Sequence, residues 1–364
     1  MRFLPYLLEA VRGFGSILQK QWDHFLQSAP IKLILSGSYV SAMTRLTAAD
    51  QPLHGRRTSR IHVRPFDYLG AAAFVPRYSP VDKLLTYAIF GGLPGQLAVI
   101  DPDRSLAENV SEHLLDPSGR LADEGEHILD AFVRDGGVHY SILRAIAQGE
   151  HRWQKITSRI GKNSASVSRP LDWLQDMGIV TRVIPATDNP PGSPKRALYR
   201  LTDPYLVFWH RLVAPLRAAG TVDLLAPAQL WTRHVATRLP EHMGAMFEAV
   251  CRSFVASGAH PRLPFAPDRV GEWWTNDSAH QVDVVSLGPD GQVLLGECKW
   301  GPVSHHDLRL LKQRRDLITR ELRGTRSIQL ALFTAEAVRD EPLLESIRNG
   351  EALVFTPEDL LSPT

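Results

Sequence analysis

Apolar positions recur at two different spacings along this chain, and the change of spacing marks its elements. Phe14, Ile17, Leu18, Trp22 and Phe25 fall at helical spacing, which predicts a helix over residues 14–25. Residues 31–35 are a short apolar run ending in Ser36-Gly37-Ser38, the pattern of a buried parallel strand entering a loop. A second strand is expected over 60–65, closed by Pro65, which has no donor for a ladder. Residues 83–90 read as a helix stopped by Gly91-Gly92-Leu93-Pro94-Gly95. Helical spacing returns over 127–132, 140–148 and 152–160. After the turn Gly161-Lys162-Asn163, a helix over 164–177 is framed by Ser or Asn at its start and Gly178 at its end. Strands are expected over 179–183 and 197–201, around a Pro/Gly-rich loop. Tyr205, Phe208 and Trp209 are spaced as on a helix, and His210 reads as a satisfied core or boundary histidine.

Residues 219–239 carry scattered Pro and Gly and read as a connection with a short helix. A helix over 244–255 follows, then an irregular Pro-containing stretch. The stretches 271–287 and 292–300 supply two apolar runs of strand length flanking Gly288-Pro289-Asp290-Gly291, which predicts a β-hairpin. If the connection is 288–292, Asp283 lies opposite Glu297 and Gln281 opposite Lys299. Glu297 and Lys299 share a face because strand side chains alternate. Charges set among Val, Leu and Cys are costly unless a partner or a metal compensates them. A helix over 304–322 carries the stripe Leu308, Leu311, Ile318 and Leu322 and a basic face that includes Arg309, Lys312, Arg314, Arg315 and Arg320. Short strands are expected over 327–333 and 352–355.

Composition narrows the setting. The 364 residues have the length of two or three domains, and a formal charge of +2 says nothing about partners, so only local charge does. From Tyr140 to Arg200 basic residues exceed acidic ones, and that excess suits phosphate contacts. The two cysteines, Cys251 and Cys298, provide neither a disulfide framework nor a zinc spacing, so a reducing cytoplasmic location is expected. The N-terminus turns acidic too soon for a signal peptide, and no apolar run approaches the roughly 18 residues of a membrane span.

Asp283, Glu297 and Lys299 in the order Asp-x13-Glu-x-Lys resemble the core of the PD-(D/E)xK restriction-endonuclease-like superfamily. The resemblance implies Mg²⁺ or Mn²⁺ held by Asp283 and Glu297, Lys299 beside the attacking water, and an accessory acid from the preceding helix, here Glu248. Helix, turn, helix and β-wing over 140–200 match a winged helix-turn-helix, which would present Arg169 from its second helix and Lys195 and Arg196 from its wing to DNA. Leu33-Ile34-Leu35-Ser36-Gly37-Ser38, Leu53-His54-Gly55-Arg56-Arg57-Thr58 and Tyr87-Ala88-Ile89-Phe90-Gly91-Gly92-Leu93-Pro94 resemble the later half of the archaeal-type AAA-like ATPase family. In that family Ser36 or Ser38 would sense the γ-phosphate and Arg56 or Arg57 would contact phosphate. The chain departs from the family because nothing matches Gly-x4-Gly-Lys-Ser/Thr or the acidic strand that helps hold Mg²⁺. Those four residues are therefore expected to be vestigial, and ATP is not expected to bind without a second copy or a partner that supplies the missing loop.

The expected fold is α/β and multidomain. Residues 1–100 would be the ATPase-like remnant, 101–218 a lid and winged-helix segment, 219–240 a connection and 241–364 the endonuclease-like domain. Two functions compete: a DNA-associated protein with a metal-dependent nuclease-like domain, or a noncatalytic DNA- or protein-binding remnant of an ATP-binding protein.

Overall fold

The computed structural model describes residues 11–37, 43, 46–130, 133, 136–188, 196–322 and 324–362; Ser38 and Lys195 lie outside the described residues. The chain is a mixed α/β protein of two compact units, residues 1–64 with 162–181, and residues 65–161 with 182–364. The stretch expected to form one domain over 1–100 is thus divided at Arg64.

In the first unit the helix Phe14–His24 forms as its spacing predicts. Leu46 and Leu53 are buried with Phe14, Leu18, Leu35 and Met43 packed against them. The two strands expected over 31–35 and 60–65 do not form. Ile34 is 79% exposed and Val63 is 85% exposed. A strand persists only where a neighbour takes up its backbone donors and acceptors, and neither sheet of the described residues includes these segments. The helix Ser164–Asp176 is present, with the Asn163 side chain accepting from the Ser166 N–H at 2.9 Å. It buries Val167, Leu171 and Leu174 and leaves Arg169 exposed.

In the second unit the helix Pro80–Phe90 starts on Ser79, whose side chain accepts from Asp82 N–H, and ends at Gly91 with φ 70° and ψ −158°. That backbone region is open essentially to glycine alone. Gly92 is required for a different reason: a Cβ there would lie 1.9 Å from the Phe66 carbonyl oxygen. Gly92→Ala is therefore expected to destabilise the protein by about 1–3 kcal/mol, as overpacking against backbone does; an unchanged urea midpoint would contradict this. Helices Gly137–Ala147 and Trp153–Ile160 form as expected; of the helix expected over 127–132, whose residues 131 and 132 lie outside the described residues, His127 ends the helical turn Glu124–His127 and 128–130 are turn. Strands β1 (Val180–Val183) and β2 (Leu198–Leu201) match the two expected there.

Residues 269–355 build a five-stranded sheet in the order β3-β4-β5-β6-β7: β3 Arg269–Trp274, β4 Gln281–Leu287, β5 Gln292–Lys299, β6 Ser327–Thr334 and β7 Leu353–Phe355. β3, β4 and β5 are antiparallel, while β5, β6 and β7 are parallel. Parallel neighbours need long crossovers. The helices His305–Ile318 and Glu341–Arg348 supply them. Alternation then sorts the side chains. Leu294, Cys298, Phe333 and Phe355 pack with Phe247, Cys251 and Phe254 of the helix Leu239–Ser257. Val293, Leu295, Leu330 and Leu332 pack with Leu308, Leu311 and Ile318 on the other face. β3 escaped the sequence pattern because Glu272 interrupts its apolar run. On this edge strand the Glu272 carbonyl accepts from Ala186 N–H at 2.8 Å, and its carboxylate pairs with Arg200 at 2.7 Å. No helix of the described residues is long and apolar enough to cross a membrane.

Candidate functional site

The hairpin turns over Pro289–Gly291, where Asp290 and Gly291 have φ of 59° and 77°. Its ladder runs from Leu287 opposite Val293 to Val284 opposite Gly296, the register that a 288–292 connection predicts. The recorded pairs stop one short of Asp283 and Glu297, in the register that places the two opposite one another. On its other side β4 pairs Val285 with Gly271 but Val282 with Trp273, so Asp283 and Val284 together face Glu272. This is a β-bulge, which bends a strand and re-aims a side chain. Val282 and Val285 consequently pack in the same cluster, although regular alternation would place them on opposite faces.

Freed from the ladder, Asp283 makes its own contacts. Its Oδ2 accepts from the Cys298 N–H at 2.9 Å and its Oδ1 from Gln281 Nε2 at 3.0 Å. Arg252 donates to its carbonyl oxygen at 2.8 Å. Glu297 is buried, with Oε1 3.3 Å from Lys299 Nζ and Oε2 held by Arg314 of the His305–Ile318 helix. Lys299 is 43% exposed at its side chain and also lies 3.9 Å from Asp307. Glu248, on the Leu239–Ser257 helix, pairs with Arg252 at 3.5 Å.

These carboxylates feel one another. Burial, and then the Asp283 charge, push Glu248 up to about 7, with Arg252 and Arg200 acting against them. Burial and Asp283 likewise raise Glu297 to about 6, against the pull of Arg314 and Lys299. Asp283 is thus the charge common to both.

Asp283 and Glu297 offer hard carboxylate oxygens from adjacent strands, a donor chemistry that fits Mg²⁺ or Mn²⁺. Their geometry is not that of a preformed cage. No group of three or more His, Cys, Asp or Glu among the described residues is arranged to hold a metal ion. The sheet explains why: Glu248 comes from the helix on one face, whereas Glu297 meets the helix on the other.

The remaining candidates are dispersed. Arg169 is exposed on the first unit. Arg196, expected at the tip of a wing, is turned inward: its guanidinium lies 3.1 Å from Asp188 and 3.3 Å from Glu321 and donates to the Trp274 carbonyl oxygen. Two acidic neighbours hold it against its own chain. Ser36 is exposed in a segment without regular structure. Arg56 forms a two-pronged pair with Asp23 at 2.7 and 2.8 Å, and Arg57 donates to Thr47 Oγ1 at 3.0 Å. Sequence reasoning gave Arg252 no role, placed Gln281 only opposite Lys299, and put Arg314 on a basic face, whereas it pairs with buried Glu297. For Arg314 a signal existed, since it falls between Leu311 and Ile318 at helical spacing, a charge on an apolar stripe.

The family model DUF234, described as archaea bacterial proteins of unknown function, matches residues 209–311. That interval includes Glu248, Asp283, Glu297 and Lys299. The chain is also similar to an uncharacterized protein of Methanocaldococcus jannaschii, 23% identical over 361 residues, covering 98% of this chain and 78% of that protein.

Proposed function

We propose that residues 241–364 form a PD-(D/E)xK-type domain that cleaves DNA phosphodiester bonds with Mg²⁺ or Mn²⁺, joined to a winged-helix segment and an ATPase-family remnant that does not hydrolyse ATP. The observation that carries this reading is the β4–β5 register, with the Cys298 N–H donating to Asp283 Oδ2, which keeps Asp283 next to Glu297-x-Lys299 of the neighbouring strand. Asp283 and Glu297 would hold the ion, with Glu297 exchanging Arg314 for it. The ion would supply charge to the scissile phosphate and acidity to a bound water. Lys299, the most exposed member, is positioned to orient that water or the phosphate, and the displaced Arg314 to meet a phosphate oxygen. Glu248, raised toward neutrality, would act through Asp283 without entering the ion's shell. Exposed Arg169, together with Lys195, would meet DNA phosphate, while Arg196 would serve to fasten β3. The location proposed is cytoplasmic.

One observation favours a second reading, a noncatalytic DNA- or protein-binding remnant. Both oxygens of Glu297 are already held by cations of the same chain, as in a purely structural ion-pair network. Incubating the full chain with single-stranded, duplex and branched DNA in Mg²⁺ or Mn²⁺ separates the two. Cleavage that is lost with EDTA and in Asp283→Asn is expected. Wild-type cleavage no greater than that of Asp283→Asn would leave the noncatalytic reading in place.

A further inference from the structure

Asp283 is buried at the bent part of β4, and its backbone is supported from outside the sheet. The β3–β4 ladder passes over Asp283, and the β4–β5 ladder ends at Val284 opposite Gly296. Glu272, across from the bulge, gives its carbonyl oxygen to the Ala186 N–H. A buried strand residue outside its ladders needs another donor for its carbonyl oxygen and another restraint on its direction. Both come from the helix Leu239–Ser257, where Arg252 donates to the Asp283 carbonyl oxygen at 2.8 Å.

Arg252 is more than the counter-ion of Glu248. The two side chains sit one helical turn apart, 16% and 18% exposed, with 3.5 Å between their charged atoms. The contact with the Asp283 carbonyl oxygen is the shorter one and has the length of a full hydrogen bond, which 3.5 Å does not. The Asp283 carboxylate is held as well, at Oδ2 by the Cys298 N–H and at Oδ1 by Gln281 Nε2. Those two donors lie on β5 and β4 themselves. Of the three contacts, that of Arg252 alone joins Asp283 to the helix packed on the sheet.

We propose that Arg252 is a positioning residue: by holding the Asp283 carbonyl oxygen it sets the direction in which the Asp283 carboxylate meets a divalent ion. The inference rests on the reading of Asp283 and Glu297 as a divalent-ion site. Partners that orient a metal ligand typically contribute about 10–100-fold in affinity or activity. Arg252→Met alone would leave Glu248 buried without its cation. The comparison is therefore made in the full chain between Glu248→Gln and the double variant Glu248→Gln/Arg252→Met. Neither leaves a buried carboxylate of that pair without its cation, and urea unfolding checks that both are folded. Mn²⁺ titration by calorimetry should give a dissociation constant about 10–100-fold higher for the double variant than for Glu248→Gln. Glu248→Gln/Arg252→Lys, which restores a buried cation and a donor, should recover most of that affinity. A purely structural Arg252 would shift the urea midpoint and leave the Mn²⁺ affinity of the folded chain unchanged. Equal Mn²⁺ affinity in Glu248→Gln and the double variant, or no recovery with Lys, would overturn the positioning role while wild-type cleavage in Mn²⁺ still supported the ion site. Absence of saturable Mn²⁺ binding by the wild type would overturn the ion site and the positioning role together.

Discussion

Replacing Lys299 by Ala is expected to lower DNA cleavage by about 10²–10⁴-fold, the range associated with loss of a positioned proton-handling or charge-stabilising group. Lys299 is the member of the cluster that reaches solvent, while Glu297 and Asp283 are buried. Glu297 would keep Arg314 as its partner, so the substitution leaves no buried carboxylate without a cation. Stability should therefore change by no more than about 1 kcal/mol, as for other partly exposed ion pairs. Divalent-ion affinity should survive because an ammonium is not a ligand. Single-turnover cleavage and ion titration on the same preparations check this. A variant that cleaves at the wild-type rate, or that loses the ion along with activity, would remove Lys299 from the proposed role.

Glu248→Gln is expected to change the pH dependence of stability. Glu248 is raised to about 7 in the folded protein by burial and by Asp283, from an ordinary value of 4.5. Folding therefore favours its protonated form. The associated stability is complete below the unfolded value and is lost as pH rises through about 7. Gln is neutral at every pH and close in shape. At pH 4 the variant and the wild type should be nearly equal, and at pH 8 the variant should be more stable by about 3 kcal/mol. Arg252 retains the Asp283 carbonyl oxygen as an acceptor in the variant. Urea unfolding at the two pH values decides it, and a difference independent of pH would mean that Glu248 does not titrate as described.

Residue order alone made the hairpin legible, because an apolar run, a Gly-Pro-Asp-Gly turn and a second apolar run specify both the strands and their register. The helices on either face were legible for the same local reason, a period of 3.6 with glycine at the Leu239–Ser257 end and a Ser304 capping box at the His305–Ile318 start. The apolar runs over 31–35 and 60–65 misled, since strand-like composition forms a strand only when another strand lies beside it. The bulge at Asp283 was also illegible: it arises from pairing with β3, whose own run is interrupted by a glutamate that finds Arg200 only after folding. Charge partners followed the same rule. Arg196 meets Asp188 and Glu321, Glu297 meets Arg314, and His210 meets no partner among the described residues. Local periodicity fixes which way a side chain points from its own element. Whether its charge or hydrogen-bonding capacity is answered depends on residues distant in sequence, and those are brought near by packing the helices onto the sheet.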